Sequence, residues 1–392
     1  MTEAPSGRAA RAAGVTRRRL LGGGAAALLS GAALAATTGA LTWGSSRDER
    51  ESGGTGGDPV AEYLSEAVPD GAGLTALAAR GEEVVHCAGR GLSDREAGIA
   101  YGCGTVFDIG SLTKQFTAAA ILRLEMARAL STDDPLAAHV AGLPADKRSL
   151  TLHQLLTHTA GLVDVLGDDD EVLSREDMLT AMGESELQSA PGAAYHYSNV
   201  GYSVLAAVIE KVSGAGYEEY LAHELFAPAG LSRTGYVLPR WERSGIAVEY
   251  DGAGTPVGRP NEHPWAEDGP YWNLRGNGGL LSTAPDMHRW HLALSGDGVL
   301  SAAAREKMFR PWVREDGGDT WYGYGWVIAD WDGHRVAWHN GGNGLSYAEC
   351  ARRLDDGLLV FWATGAVEGD GEWNLEELDL TRGIAGSLRA GG

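Results

Sequence analysis

The 392-residue sequence predicts an α/β fold, an antiparallel sheet flanked by helices and interrupted by a mostly helical insertion. Three observations predict it. A pair of strand-like runs, 74–80 and 83–90, brackets a turn at Gly81. Four more such runs, 322–329, 335–339, 345–352 and 358–364, follow one another towards the C-terminus. Between the two groups, apolar residues recur at helical spacing. A hairpin from one end and a meander from the other complete one sheet, which leaves the helical middle as an insertion. The cleft between such units is a usual place for a small-molecule site.

Taken in chain order, residues 1–43 read as an export signal. Thr16-Arg17-Arg18-Arg19-Leu20-Leu21 sets arginines directly before an uncharged apolar stretch, 20–41, rich in Ala, Leu and Gly. Paired arginines fit the route that exports folded proteins, and Ala33-Leu34-Ala35 offers small residues for cleavage. An uncleaved anchor is the alternative, because the stretch approaches the roughly 20 residues that span a bilayer. Residues 44–58 are polar and Gly-rich, a flexible linker. Residues 59–392 form one domain, with a sheet unit at about 59–117 and 285–392 and a helical region at about 118–284. Within it, 114–129 carries Phe116, Ile121, Leu122 and Leu124 at helical spacing. Further helices are expected at 152–157, 200–212 and 217–225, the last two separated by Gly214 and Gly216. Residues 240–280 have no clear period and are expected to form loops over the cleft. A helix at 287–294 follows Pro285 and Asp286, and 375–388 closes the chain as a helix.

Charge narrows the partners. The net charge is −21; the first 43 residues carry +4, so the remainder carries −25. Such a body repels nucleic acid and anionic membrane, and no obligatory protein partner is evident. The acidic run 164–186 reads as a solvated face. Cys87, Cys103 and Cys350 show no zinc or C-x-x-C spacing. Export would permit a Cys87–Cys103 disulfide; buried free thiols are the favoured alternative.

The chemistry concentrates in three short motifs. Ser111-Leu112-Thr113-Lys114 is an S-x-x-K sequence where a strand-like run meets a helix, so the two side chains share one face. A serine hydroxyl needs a base. A lysine serves only when its amine is neutral, which burial or neighbouring positive charge favours. The chain has four lysines against 28 arginines, and arginine does not give up its proton. Tyr197-Ser198-Asn199 precedes a helix; Tyr197 is a candidate proton shuttle if cations hold it as a phenolate, and Asn199 can orient an amide. His339-Asn340-Gly341-Gly342 ends a strand, where glycines let a substrate lie against the edge. The Gly342 and Ser111 N–H groups are candidates for an oxyanion hole, in which one donor contributes about 2.7–4 kcal/mol. Other signals are weaker. Tyr271-Trp272-Asn273 is a second Tyr-x-Asn that would line the cleft. His288 and His291 lack a third metal ligand, so no metal site is expected. Ser346 sits in a near-match to a nucleophile elbow but inside a strand-like run. His158 is as readily structural as functional.

The ordered set Ser-x-x-Lys, Tyr-x-Asn, His-x-Gly resembles the class C β-lactamase and DD-peptidase family of penicillin-recognising serine hydrolases. Four supporting runs resemble it too: Phe107 to Lys114, Leu155 to Leu162, Tyr197 to Tyr202, and Gly276-Asn277-Gly278-Gly279-Leu280-Leu281-Ser282-Thr283. The resemblance covers roughly residues 60–390. It implies a β-lactamase/transpeptidase-like fold and acylation of Ser111 by an amide or ester carbonyl, without metal or organic cofactor. Lys114 and Tyr197 would exchange protons, Asn199 would hold the substrate amide, and His339 would supply polarity or positive charge. Typical class C β-lactamases have Lys-Thr-Gly where this chain has His339-Asn340-Gly341, so a fixed cation for a substrate carboxylate is less assured. DD-carboxypeptidase or β-lactamase-like action on cell-wall peptides or β-lactams is the favoured expectation. A carboxylesterase, a D-aminopeptidase and a non-catalytic binder are the alternatives. Arg275 is a candidate for holding a terminal carboxylate.

Overall fold

A computed structural model of the protein describes residues 57–315, 317–369 and 371–390. The expected export signal, and the linker as far as residue 56, lie outside the described residues. The first described helix, α1 (Pro59–Ala67), was not expected from sequence. Asp58, the last residue of the expected linker, caps it by accepting from the Val60 and Ala61 amides, and Pro59 sits in its first turn.

Eight strands form one antiparallel sheet: β1 (Leu74–Arg80), β2 (Glu83–Arg90), β3 (Val313–Arg314), β4 (Trp321–Tyr322), β5 (Val327–Trp331), β6 (His334–Gly342), β7 (Tyr347–Arg353) and β8 (Leu358–Thr364). Their order is β2-β1-β8-β7-β6-β5-β4-β3. The hairpin and the meander join where β1 pairs β8, with Leu77 opposite Phe361. These two central strands read as near-continuous apolar runs because both their faces are covered. Successive side chains alternate between two cores. Leu77, Ala79, Leu359 and Phe361 enter the larger core under the helical region. Ala76, Ala78, Val360 and Trp362 pack against α1 and the C-terminal helix Leu380–Ala390.

The helical region is built around α2 (Thr113–Met126), whose residues from Thr113 to Leu122 are all buried. A helix enclosed on every side belongs in a core, its buried Lys114, Gln115 and Thr117 finding hydrogen-bond partners there, and Ala118-Ala119-Ala120 lets neighbours approach closely. It packs against α3 (Asn199–Ser213), which ends at Gly214 with φ 73°, the left-handed stop that glycine provides. The helix expected at 217–225 starts at Tyr217 and widens into a π turn over Ala222–Phe226. Within the acidic run, Arg175–Glu184 is helical and anchored by buried Met178 and Met182. The closing helix starts at Leu380 rather than 375, because Leu375 is held by Val367 in a loop.

Cys87 and Cys103 are disulfide-bonded, with Cα atoms 5.3 Å apart, which overturns the favoured free-thiol reading for that pair. Their separation suits a bridge, and alternation along β2 had no way to reveal where residue 103 lies. Cys350 is a buried free thiol. His288 and His291 face the backbone carbonyl oxygens of Gly81 and Gly357. No described helix is long and apolar enough to cross a membrane.

Candidate active site

Ser111 is positioned by a short ladder and a tight turn. Val106–Asp108 pairs with Leu281–Thr283, and the Ile109 amide donates to Leu280 at 2.9 Å. The chain then turns through a 3-10 segment, Gly110–Leu112, directly into α2. Gly110 has φ 49° and lies against the Gly341–Gly342 backbone, while Gly341 lies against Ser111. A methyl group at either glycine would overlap its neighbour's backbone. These close approaches press the end of β6 onto the nucleophile turn and bring the Ser111 and Gly342 amides to one place.

Lys114, one helical turn on, is fully buried. Its three ammonium hydrogens meet three acceptors: Ser111 Oγ at 2.9 Å, Asn199 Oδ1 at 2.7 Å and the Asn277 carbonyl at 2.8 Å. Burial pulls its pKa down to about 7, against the opposing pull of Asp164 and Asp169. Among the described residues no carboxylate contacts the amine directly, so desolvation wins and the amine can be neutral near physiological pH.

Asn199 opens α3, and its orientation is fixed by a residue that sequence reasoning missed. Asp164 Oδ1 accepts from Asn199 Nδ2 at 2.9 Å and from its backbone amide at 3.2 Å. This turns the side-chain oxygen towards Lys114. Asp164 lay hidden in the acidic run read as a solvated face. Ser198 caps the helix, accepting from Gly201 and donating to the Val163 carbonyl. His158 accepts from the Ser198 amide through Nδ1, and its ring lies 4.3 Å from that of Tyr197, so it braces the Tyr197-Ser198-Asn199 turn.

Tyr197 lies beside Ser111 in the cleft, its ring 4.8 Å from Lys114 Nζ. Burial raises its pKa, which Ser111 partly offsets, and Asp164 and Glu315 raise it further. The resting phenol is therefore protonated, not the phenolate entertained from sequence. His339 is buried, with Nδ1 2.6 Å from the Asn340 carbonyl and Nε2 3.0 Å from the Tyr322 hydroxyl. Burial, then Lys114, pulls its pKa to about 4. It is neutral at pH 7: Nδ1–H donates to the carbonyl and Nε2 accepts from Tyr322. Of the polarity or positive charge that the resemblance implied for His339, the neutral ring supplies polarity.

Ser111 and Gly342 stand where two lobes of a cleft meet. One lobe, about 490 Å³, is aromatic and acidic, with Tyr195, Tyr322, Trp338, Glu315 and Glu376. The other, about 400 Å³, includes Asn199, Asp108, Asp169, Asp170, His263 and Trp265. In its wall Asn343 Nδ2 donates to Glu249 at 2.8 Å, and His263 bonds Glu249 at 3.0 Å. Burial, then Glu249, pushes Asp108 up to about 7, and the Glu249 hydrogen bond holds His263 at about 9.

Two further sequence candidates do not serve as expected. Arg275 is bound bidentately by Asp268, at 2.7 and 2.8 Å, and lines a separate pocket with Tyr271 and Trp272. It is not free to take a substrate carboxylate in the cleft. Ser346 lines the aromatic lobe but is buried in the turn leading into β7, not at a strand-to-helix turn.

The assembled site can activate a serine next to a deprotonatable lysine. A family model described as Beta-lactamase matches residues 60–373. The chain belongs to the Beta-lactamase family. Among relatives, the putative penicillin-binding protein PbpX of Bacillus subtilis is 31% identical over 270 residues, 69% of this chain and 65% of that protein. Penicillin-binding protein 4* of the same organism is 30% identical over 284 residues, 68% of this chain and 62% of that protein. The chain therefore spans less than two thirds of either. The octameric penicillin-binding protein homologue from Pyrococcus abyssi superposes with a TM-score of 0.71 at 25% identity, over 85% of this chain and 76% of that one. These likenesses bear out the β-lactamase/transpeptidase-like fold expected from the three motifs.

Proposed function

We propose that this protein is an exported serine hydrolase that opens amide or ester bonds through an acyl-enzyme on Ser111. The observation that carries the reading is the buried Lys114 amine 2.9 Å from Ser111 Oγ, with a pKa near 7. Ser111 Oγ attacks the carbonyl carbon as Lys114 Nζ takes its proton. The Ser111 and Gly342 amides receive the oxyanion. The proton passes to the leaving group by way of Lys114 and the Tyr197 phenol, and the bond to the leaving group breaks. Water then attacks the acyl-enzyme, its proton returning through the same pair, and Ser111 is regenerated. Asn199 holds the substrate amide. The Cys87–Cys103 disulfide supports an oxidising, extracytoplasmic setting.

The substrate is a small molecule or peptide. Neither lobe is lined by Arg or Lys among the described residues; His339 is neutral, and His263 is engaged by Glu249. A leaving group that carries a carboxylate, as in a cell-wall peptide terminus or a penicillin, therefore meets carboxylates and no unpaired cation. This favours esters, or amides with uncharged leaving groups, on the side of a carboxylesterase or D-aminopeptidase. DD-carboxypeptidase action is the second reading, supported by relatives named penicillin-binding proteins.

The test is intact-mass spectrometry of the protein and of Ser111→Ala after incubation with a fluorophosphonate and, separately, a penicillin. A Ser111-dependent fluorophosphonate adduct with slow or absent penicillin acylation is expected. Rapid acylation by penicillin restores the second reading. No Ser111-dependent adduct with either probe makes the chain a binder rather than a hydrolase.

A further inference from the structure

At the opposite end of β6 and β7 from Ser111 lies a second pocket, of about 550 Å³. Its charge is reversed. Arg305, Arg310, Arg335, Arg352 and Arg353 line it, with Glu306 the one lining carboxylate among the described residues. Asp297 pairs with Arg305 at 2.8 Å and Asp356 with Arg353 at 3.0 Å. Among the described residues, Arg310, Arg335 and Arg352 pair with no carboxylate. Arg310 lies 4.4 Å over the Trp312 ring, and Arg335 donates to the Phe309 carbonyl. Arg352 donates to Ser295 Oγ at 2.9 Å and stacks 5.0 Å over Phe309.

Two of these guanidiniums are deeply buried. Arg352 is 4% and Arg353 5% exposed. Nε and Nη1 of Arg352, and Nε and Nη2 of Arg353, find no hydrogen-bond partner among the described residues. A buried, uncompensated cation is strongly unfavourable. In a chain with 53 acidic residues, carboxylates to neutralise it are plentiful, yet none of the described ones is placed against Arg352. The planar fork of arginine suits tetrahedral oxyanions, which take two parallel hydrogen bonds.

We propose that this pocket binds a small phosphoanion, with Arg352 as its inner cation and Arg310 and Arg335 at its mouth. The volume admits a phosphate ester as well as free phosphate. Binding here does not depend on the hydrolase reading.

Titration calorimetry at low ionic strength tests it, with inorganic phosphate, pyrophosphate and glycerol 3-phosphate as probes. Saturable one-to-one binding of pyrophosphate is expected. It should weaken about tenfold in the Arg310→Gln/Arg335→Gln double variant and persist in Ser111→Ala. Arg310 and Arg335 are exposed, so this variant is informative even where Arg352→Gln fails to fold. Glycerol 3-phosphate binding more tightly than phosphate assigns an ester, and the reverse assigns free phosphate. No saturable heat at millimolar pyrophosphate, or equal binding by the double variant, overturns the proposal.

Discussion

The two ends of β6 and β7 each bury a cation, in different chemical forms. Near Gly341 and Gly342, Lys114 is fully enclosed, and burial brings its pKa to about 7. Near Arg335, Arg352 is 4% exposed, and the same desolvation lowers its pKa only to about 10. One cation can shed its proton at neutral pH and the other stays charged. Similar burial thus yields a proton acceptor from lysine and a fixed charge from arginine. Where a proton must move the chain places one of its four lysines; where charge must persist it places arginines.

The largest expected effect tests the chemistry at the lysine end. Ser111→Ala should lower kcat for an ester such as p-nitrophenyl acetate by about 10⁴-fold or more. A smaller loss, measured by stopped-time assays against a mass-verified sample, would mean that another group is attacking the substrate.

Lys114→Arg addresses the comparison itself, because it places the distal end's cation in the active site. A permanent guanidinium cannot accept the Ser111 proton, so turnover should fall about 10³-fold. Wild-type-like rates would remove proton acceptance from the role of Lys114. The unmodified protein supplies a companion measurement. Lys114 is an ammonium below its pKa and a free amine above it. The pH profile of kcat/KM should therefore rise through about 7 towards a plateau on the alkaline side. A profile flat from pH 5 to 9 would contradict the assignment.

Much of this contrast was legible in the sequence, and what was not has physical causes. Periodicity located β1 and β8 to the residue, because strands covered on both faces leave unbroken apolar runs; β2, a largely exposed edge strand, was located by the turn at Gly81 that joins it to β1. The three motifs identified Ser111, Lys114, Asn199 and the glycines that the fold brings together. A neutral His339 was the default for a histidine near pH 7, but the further lowering of its pKa was not legible. It depends on burial and on Lys114, which the fold brings near the ring from 225 residues away in the chain. Asp164 was invisible for a similar reason, since a carboxylate in an acidic run looks like its solvated neighbours until Asn199 is placed on it. The Asn277 carbonyl belongs to the backbone, and side-chain patterns do not report it. The arginine pocket gathers residues from positions 305 to 353 that are unremarkable one by one.

Asp164 gives a smaller, sharper test. Asp164→Ala frees the Asn199 amide, which can then turn its NH2 group towards the Lys114 amine, and kcat should fall about tenfold. It also removes a negative charge that raises the Lys114 pKa. The acidic limb of the pH profile should accordingly move to lower pH. A rate loss with the limb unmoved would reduce Asp164 to a structural support.

The smallest effect lies at the arginine end and concerns stability. If Arg352 is held for a ligand, it destabilises the free protein, because its buried Nε and Nη1 lack partners among the described residues. Arg352→Met fills much of the same volume without the charge. In phosphate-free buffer it should raise the unfolding free energy by about 1 kcal/mol, read as a higher urea midpoint at unchanged slope. A saturating phosphoanion would stabilise the unmodified protein by mass action but leave the variant where it was, so the two should draw together or exchange order as ligand is added. A variant less stable by a similar amount in phosphate-free buffer would show that the Ser295 hydrogen bond and the Phe309 stack outweigh desolvation. The two buried cations would then differ in kind: a lysine tuned for proton transfer, and an arginine serving as a brace between β7 and the turn at Ser295 that follows the helix Ala284–Ala293.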